Sequence, residues 1–403
     1  MQTEAAKVEH LYVHVPFCVA KCAYCAFYSE AGSAAKMSDY VAAVLAELER
    51  SVAANLIRGS GEHGRENVSR LQPTTIFFGG GTPSILPAPL MRRLLEAVGR
   101  ARSRDCGSAP CEWTVEANPA TVDREKARMM HDAGVNRISL GVQSFDDALL
   151  KALGRVHSSK QAVATYELLR KSGFENINLD LMFGLPGQTV AQFAATLQRS
   201  IALQPEHVSI YCLTLEEDTE FWLRFKSGCL SSNEEQNVAM YKLSIETLEA
   251  AGYHQYEVSN FAKPGRECAH NIAYWKVKDY IGIGPSACST IGTRRWENVA
   301  NTNRYIVAMK MAGRNQDRIG AGISPYRGAI SFEERLTPEL RAAERAAFGM
   351  RMNAGVPADL IQGRWDKEIA ELLSAELVQW RNGRLQPTRR GILFADEVAS
   401  EFV

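Results

Sequence analysis

Three cysteines stand close together near the start of the chain, in the run Cys18-Val-Ala-Lys-Cys22-Ala-Tyr-Cys25. A C-x3-C-x2-C spacing is brought to one place most easily by a loop, and three thiolates on a loop suit the wrapping of a metal centre. A cubane iron–sulfur cluster normally takes four thiolates, so three from the protein leave one iron open to another ligand. The spacing also suits zinc, with His14 as a fourth ligand, and plain buried cysteines are a third reading. The other cysteines, Cys106, Cys111, Cys212, Cys229, Cys268 and Cys288, lack ligand spacing and read as packing residues.

Further polar and glycine positions gather around this run. In Gly79-Gly80-Gly81-Thr82-Pro83 the glycines let backbone approach a ligand closely. No Gly-Lys-Ser/Thr follows, so this is not a P-loop, and a tight turn before a helix begun by Pro83 explains the run equally well. Glu116, Gln143 and Asp180 fall near the carboxyl ends of three predicted strands. One by one they read as loop or cap residues; together they would converge on one rim, as α/β sites are built. Gly282-x-Gly284-x-x-Ala287 imitates a dinucleotide fingerprint, but Pro285 and the β-branched stretch 289–293 do not open a helix.

The elements that would position these residues alternate. Short apolar and aromatic runs at 11–15, 75–78, 112–116, 137–142, 177–183 and 208–213 read as buried strands. Helical patterns lie between them, with Val41, Val44, Leu45, Leu48 and Val52 on one face and Leu90, Leu94, Leu95 and Val98 on another. Gly134 and Gly173 sit where helices should stop, each a few residues before the next strand. Right-handed βαβ units and a parallel sheet follow, open or closed, with ligands outside the carboxyl ends of the strands.

Segments 59–70 and 102–110 read as surface loops. After Glu217 the alternation ends; a helix is predicted over 233–251 and an aromatic, glycine-scattered stretch over 253–296. The part from Ser331 has helical segments at 340–352 and 366–377 and a tail at 385–402. The expected division is a core at 1–240, a connecting region at 241–330 and a small, mainly helical domain at 331–403.

With 403 residues the chain can bury a large core and hold two or three domains. Forty-six Lys+Arg balance 46 Asp+Glu, giving zero net charge, so nothing steers it toward nucleic acid or an anionic membrane. Nowhere do about 18 apolar residues run together, and residues 1–14 lack an export pattern. Nine cysteines, an odd number in a long chain, argue against a secreted disulfide framework. A cytosolic protein with a small partner is expected.

The cysteine run, with Tyr24 before its last member, resembles the signature of radical S-adenosylmethionine (SAM) enzymes. The resemblance implies a 4Fe-4S cluster on Cys18, Cys22 and Cys25, SAM bound through its amino and carboxylate groups at the fourth iron, and reductive cleavage of SAM to a 5′-deoxyadenosyl radical. It also implies an α/β fold, a partial (β/α)6 barrel with this loop after the first strand. Tyr12-Val-His-Val-Pro-Phe-Cys18, Phe78-Gly-Gly-Gly-Thr-Pro83, Gly141-Val-Gln-Ser144, Gly154-Arg-Val-His157 and Asp180-Leu-Met-Phe-Gly-Leu-Pro-Gly-Gln-Thr189 resemble, together, the oxygen-independent coproporphyrinogen III oxidase group. In that group Tyr12, Gly80, Gly81, Thr82, Glu116, Gln143, Arg155 and Asp180 stand where residues contact SAM, and the oxidase itself binds two SAM molecules.

The group has two branches. The oxidases extend the run to C-x3-C-x2-C-x-C, whereas Phe27 stands here in place of the last cysteine. The ending Cys25-Ala-Phe27 is similar to the HemW-type heme chaperones, although Ala26 replaces their usual Asp. His270-Asn-Ile-Ala-Tyr-Trp275 matches the H-N-x-x-Y-W motif tied to heme in that branch. A neutral imidazole is a sound axial ligand for heme iron; taken alone, His270 reads as a hydrogen-bonded loop histidine beside aromatic packing. Cys288 stands where relatives commonly carry His, and a thiolate also binds heme iron. The resemblance implies heme and a heme-acceptor protein as partners, with a respiratory cytochrome as the candidate acceptor. Two rivals stay open, a coproporphyrinogen III oxidase, against which Phe27 counts, and a zinc-stabilised binding module.

Overall fold

The computed structural model describes residues 8–57, 73–101, 111–314 and 328–403. The expected surface loops at 59–70 and 102–110 lie outside the described residues. The first half alternates as β1 (His10–Val15), α1 (Ala34–Ile57), β2 (Thr75–Gly80), α2 (Ala88–Ala101), β3 (Glu112–Ala117), α3 (Arg124–Asp132), β4 (Arg137–Gln143), α4 (Asp147–Ala152), α5 (Ser159–Lys171), β5 (Ile177–Phe183), α6 (Val190–Ala202) and β6 (His207–Cys212). There follow α7 (Glu220–Lys226), α8 (Glu234–Ala250), β7 (His254–Glu257), β8 (Asn260–Ala262), α9 (Ala269–Trp275), β9 (Ile281–Ile283), β10 (Cys288–Ile291), β11 (Arg294–Asn298), α10 (Thr302–Arg314) and β12 (Ile330–Arg335). The last part holds α11 (Pro338–Gly349), β13 (Val356–Pro357), α12 (Ala358–Ile361), α13 (Asp366–Ser374), β14 (Val378–Arg381), β15 (Arg384–Pro387) and α14 (Ala395–Ser400). All six expected strands form, and Gly134 and Gly173 take the left-handed conformation, with φ of 95° and 98°, that ends the preceding helices.

The chain packs as two units. The first comprises residues 1–141, 154–175 and 279–335. Within it β1 pairs in parallel with β2, from His10 opposite Thr75 to Val15 opposite Gly80, and β3 and β4 follow in parallel. On its other side β1 takes β9, with Leu11 opposite Ile281. The strands are buried along nearly their whole length, the pattern of a parallel sheet covered on both faces. Tyr40, Val41, Val44 and Leu48 of α1 and Met91, Leu94, Leu95 and Val98 of α2 are buried, and each such apolar side chain stabilises the fold by about 1.5–3 kcal/mol. A small antiparallel sheet, β10-β11-β12, completes this unit.

The second unit comprises residues 142–153, 176–278 and 336–403. In it β5 and β6 are parallel, Asn178 opposite His207 through Phe183 opposite Cys212, and β8 and β7 extend β6 antiparallel. A reciprocal capping box, Thr189 with Gln192, starts α6. The carboxyl-terminal part is mainly helical, as expected, and also carries a three-stranded antiparallel sheet, β13-β15-β14, that short alternations at 378–387 did not announce. Met350, Val356, Ile361, Leu385, Val398 and Phe402 form its core. Among the described residues no helix is long and apolar enough to cross a membrane.

Candidate metal and cofactor site

The cysteine loop leaves the carboxyl end of β1 and is closed at its base by backbone alone. Cys18 N donates to Glu30 O at 3.0 Å, and Glu30 N donates to Pro16 O at 2.7 Å. An ion pair of Lys36 with Glu30 at 2.7 Å reinforces the closure. The glycine run lies against this base, with Gly81 N donating to Val15 O at 2.8 Å and Thr82 N to Phe17 O at 2.7 Å. Gly80 has φ of 102°, and a Cβ there would meet the His14 ring at 2.5 Å; a Cβ on Gly81 would meet the Phe17 carbonyl at 2.7 Å. The protein's own backbone thus accounts for both glycines, and Thr82 Oγ1 comes within 3.6 Å of Cys18 Sγ.

Arg155 reaches the same loop from the turn after α4. Its Nη1 donates to Cys22 Sγ at 3.6 Å and its Nη2 to Gly141 O at 2.9 Å, while Nε is buried with no hydrogen-bond partner. Burial lowers its pKa, but Tyr24, Cys22 and Cys18 outweigh that and hold it above the usual value. Burial pushes the Cys25 thiol up, with Cys22 and Cys18 adding to the rise and the Phe27 backbone and Lys21 opposing it.

Three thiols on one loop are the donor set of a cubane with one iron left open. Among the described residues no group of three or more His, Cys, Asp or Glu side chains is placed to hold a metal ion. A cubane gives each thiolate a different iron, so its sulfurs need not converge on a point. The zinc reading fails at His14. Its Nε2 donates to Tyr28 O at 3.0 Å and its Nδ1 accepts from Tyr12 OH at 3.1 Å, so neither ring nitrogen is left for a metal. Burial also lowers its pKa and keeps the ring neutral, against the Tyr28 carbonyl bond.

Tyr12 and Glu116 lie close by. Tyr12 stacks on Phe77 at 6.3 Å, and burial, then the charges of Glu116, Cys288 and Tyr280, drive its pKa well up. The Glu116 carboxylate stands 3.1 Å from where a Cβ on Gly79 would be, so a side chain at Gly79 would press on it. The first unit therefore brings together Tyr12, Cys18, Cys22, Cys25, Gly80, Gly81, Thr82, Glu116 and Arg155. Gly282 to Ser289 runs strand, turn, strand, with no helix for a dinucleotide phosphate.

Sequence reasoning passed over Glu47. It lies on the buried stripe of α1 and accepts from Gly284 N at 2.8 Å, Asn298 Nδ2 at 2.8 Å and Tyr305 OH at 2.5 Å. A charged residue in register with Tyr40, Val44 and Leu48 was the available signal.

Gln143 and Asp180 belong to the second unit. Gln143, at the end of β4, is 9% exposed with φ of 65°, a conformation that is strained for a non-glycine residue. Asp180 stands mid-strand in β5, not at its carboxyl end, as the single partly exposed position of that strand. It begins a buried relay: Asn178 Nδ2 donates to Asp180 Oδ1 at 2.8 Å, His207 Nδ1 to Asn178 Oδ1 at 2.7 Å, Tyr256 OH to His207 Nε2 at 2.9 Å, and Cys268 N to Tyr256 OH at 3.3 Å. Cys268 is the residue that precedes α9, the helix of the H-N-x-x-Y-W motif.

Residues 12–199 match the model of the radical SAM superfamily, and residues 336–394 match the HemN carboxyl-terminal domain. The chain is 34% identical to the heme chaperone HemW of Bacillus subtilis, over 97% of this chain and 98% of that one. It is 36% identical to the heme chaperone HemW of Escherichia coli, over 98% and 97%. The chain belongs to the HemW family. Its fold is also that of the coproporphyrinogen III oxidase HemN of Escherichia coli, with a TM-score of 0.80 over 100% of this chain and 91% of that one, at 22% identity.

Two features singled out in the sequence have a clear place in the structure. Phe27 is 71% exposed on the cysteine loop. The H-N-x-x-Y-W motif coils into α9 with His270 only 1% exposed and edge-on to Tyr274 at 5.0 Å. Trp275 is held between Phe348, at 6.2 Å, and the Arg351 guanidinium, at 5.0 Å.

Proposed function

We propose that this HemW-family protein holds a 4Fe-4S cluster on Cys18, Cys22 and Cys25, binds SAM beside it, binds heme, and passes the heme to an acceptor protein in the cytosol. The observation that carries this reading is similarity along nearly the whole chain to proteins named heme chaperones, at 34% and 36% identity. Phe27 supports it over the oxidase reading, because the loop offers three thiols where the oxidases offer four.

The cluster and SAM, when bound, supply one-electron chemistry. The chain's own residues position and shield them. The backbone-closed loop presents the thiols, and the Arg155 guanidinium neutralises part of their charge. Tyr12, Gly80, Gly81, Thr82, Glu116 and Arg155 are the SAM contacts in the first unit, and the resemblance gives Gln143 and Asp180 the same role. For heme, the His270 imidazole is the ligand to iron. Because it faces the interior in this conformation, ligation requires α9 to turn or open.

The test is anaerobic. Reconstituted protein is titrated with heme, followed by its visible absorption, and then mixed with an apo-cytochrome. The expected result is one heme per chain, lost to the acceptor, with weakened binding in His270→Ala and an unchanged iron–sulfur content. Unaltered heme binding in that variant would remove His270 as ligand. In parallel, coproporphyrinogen III, SAM and reductant are supplied beside a true oxidase; decarboxylated porphyrin at many turnovers would replace the chaperone reading with the oxidase one.

A further inference from the structure

Away from the cluster loop, the second unit contains a cavity of about 520 Å³ between α9, β7, the turn after α11 and the β14-β15 hairpin. That volume is in the range that takes a small organic ligand. Ile272, Met352 and Tyr256 give it an apolar surface, while Asn353 and Gln386 add carboxamides.

Two cations face this cavity, Lys276 from the end of α9 and Arg381 from the end of β14. Among the described residues neither side chain makes an ion pair or hydrogen bond. Two unpaired cations on one cavity repel each other, and an anion between them turns that repulsion into attraction. The fork of an arginine suits a carboxylate, with lysine adding a point charge.

The walls are held in place without a ligand. Tyr256 is fixed by its bonds to His207 and Cys268 N. Asn353 donates from Nδ2 to Gln255 O at 2.6 Å and from its backbone N to Tyr256 O at 3.1 Å. Arg384 ties the opposite wall, donating to Ala354 O at 2.7 Å and Gly355 O at 2.6 Å. Hydrogen-bonded walls with two exposed cations on one open groove present an anion with a largely formed surface.

The pocket takes Ile272 from the motif helix but lies on a different side of it from His270. Positions 272 and 276 lie on one side of α9, whereas His270 and Tyr274, four residues apart, share another. We propose that this cavity is a second ligand site, which binds a small organic acid by its carboxylate, between Lys276 and Arg381, and by its apolar body, against Ile272, Met352 and the Tyr256 ring.

The test uses the full chain and a matched pair of probes, pyrenebutyrate and the uncharged pyrenebutanol, followed by fluorescence. The expected result is one saturable site for the acid and binding about tenfold weaker for the alcohol. Lys276→Gln combined with Arg381→Gln should reduce the acid to the alcohol's affinity, with thermal unfolding unchanged because both residues are exposed. His270→Ala should leave the acid's affinity unaltered. Equal binding of acid and alcohol, full binding by the double variant, or loss of binding in His270→Ala would each overturn the proposal. Bound heme that displaces the acid from the wild type would also overturn it, by making the two sites one.

Discussion

Arg155 shows how much of the site turns on single side chains. A partly buried cation bonded to Cys22 Sγ stabilises the more negative, reduced state of a cluster held there. Arg155→Gln is therefore expected to keep the cluster, in contrast to Cys22→Ala, and to move its midpoint potential to a more negative value in a redox titration followed by electron paramagnetic resonance. An unchanged midpoint would mean that the guanidinium only braces the Gly141 carbonyl. Glu257 makes a separate prediction. Burial, against bonds from Ser259 and Asn260 and the Arg351 charge, raises its carboxyl from 4.5 to about 7. The folded chain then binds a proton that the unfolded chain releases, so this group's contribution is complete below about pH 4.5 and is lost as the pH rises through about 7. Glu257→Gln should remove that decline. Its free energy of unfolding in urea, compared with wild type, should gain about 1–3 kcal/mol between about pH 5 and about pH 8; a constant difference would show that Glu257 titrates as it does in the unfolded chain. That Cys18, Cys22 and Cys25 share one loop after β1 was legible from their spacing. The sequence left zinc with His14 open as an alternative, because the partners of its two nitrogens, Tyr12 and Tyr28, are recognisable only once the strand and loop are folded.

Among elements, the β2 turn carries the sharpest demand. Gly80→Ala would place a methyl group against the His14 ring at a φ of 102°, and strain of this kind costs about 1–3 kcal/mol. The expected outcome is a lower thermal midpoint and slower cluster reconstitution; a variant as stable as wild type would show that His14 moves freely. The parallel strands were legible because burial on both faces demands unbroken apolar runs, as in Ile177 to Phe183. The hairpin of β14 and β15 was not, since Gln379, Trp380 and Arg381 are exposed and no apolar face marks so short an edge. The depth of α9 was also hidden. An H-N-x-x-Y-W string states which residues are four apart, but not that the histidine side faces inward.

For the whole molecule, charge balance has a measurable effect. Forty-six cations against 46 anions leave little self-repulsion near neutrality, and solubility is lowest where net charge vanishes. The amount of protein precipitated by polyethylene glycol should peak near pH 7 and fall on either side; a monotonic profile would indicate that one charged surface dominates. Composition showed this directly, whereas the two-unit packing, each unit drawn from three separate stretches of chain, is invisible to any linear reading. The loop of Cys18 to Cys25 has a last consequence, for the order of assembly. Its base is tied by Cys18 N to Glu30 O and Glu30 N to Pro16 O, peptide groups that need no iron to find each other. Peptide groups, not thiols, close that hoop, so a chelator that strips a cluster bound there is expected to bleach the protein and leave its far-ultraviolet circular dichroism and its capacity for reloading intact; unfolding on stripping would show that metal, not backbone, holds the loop.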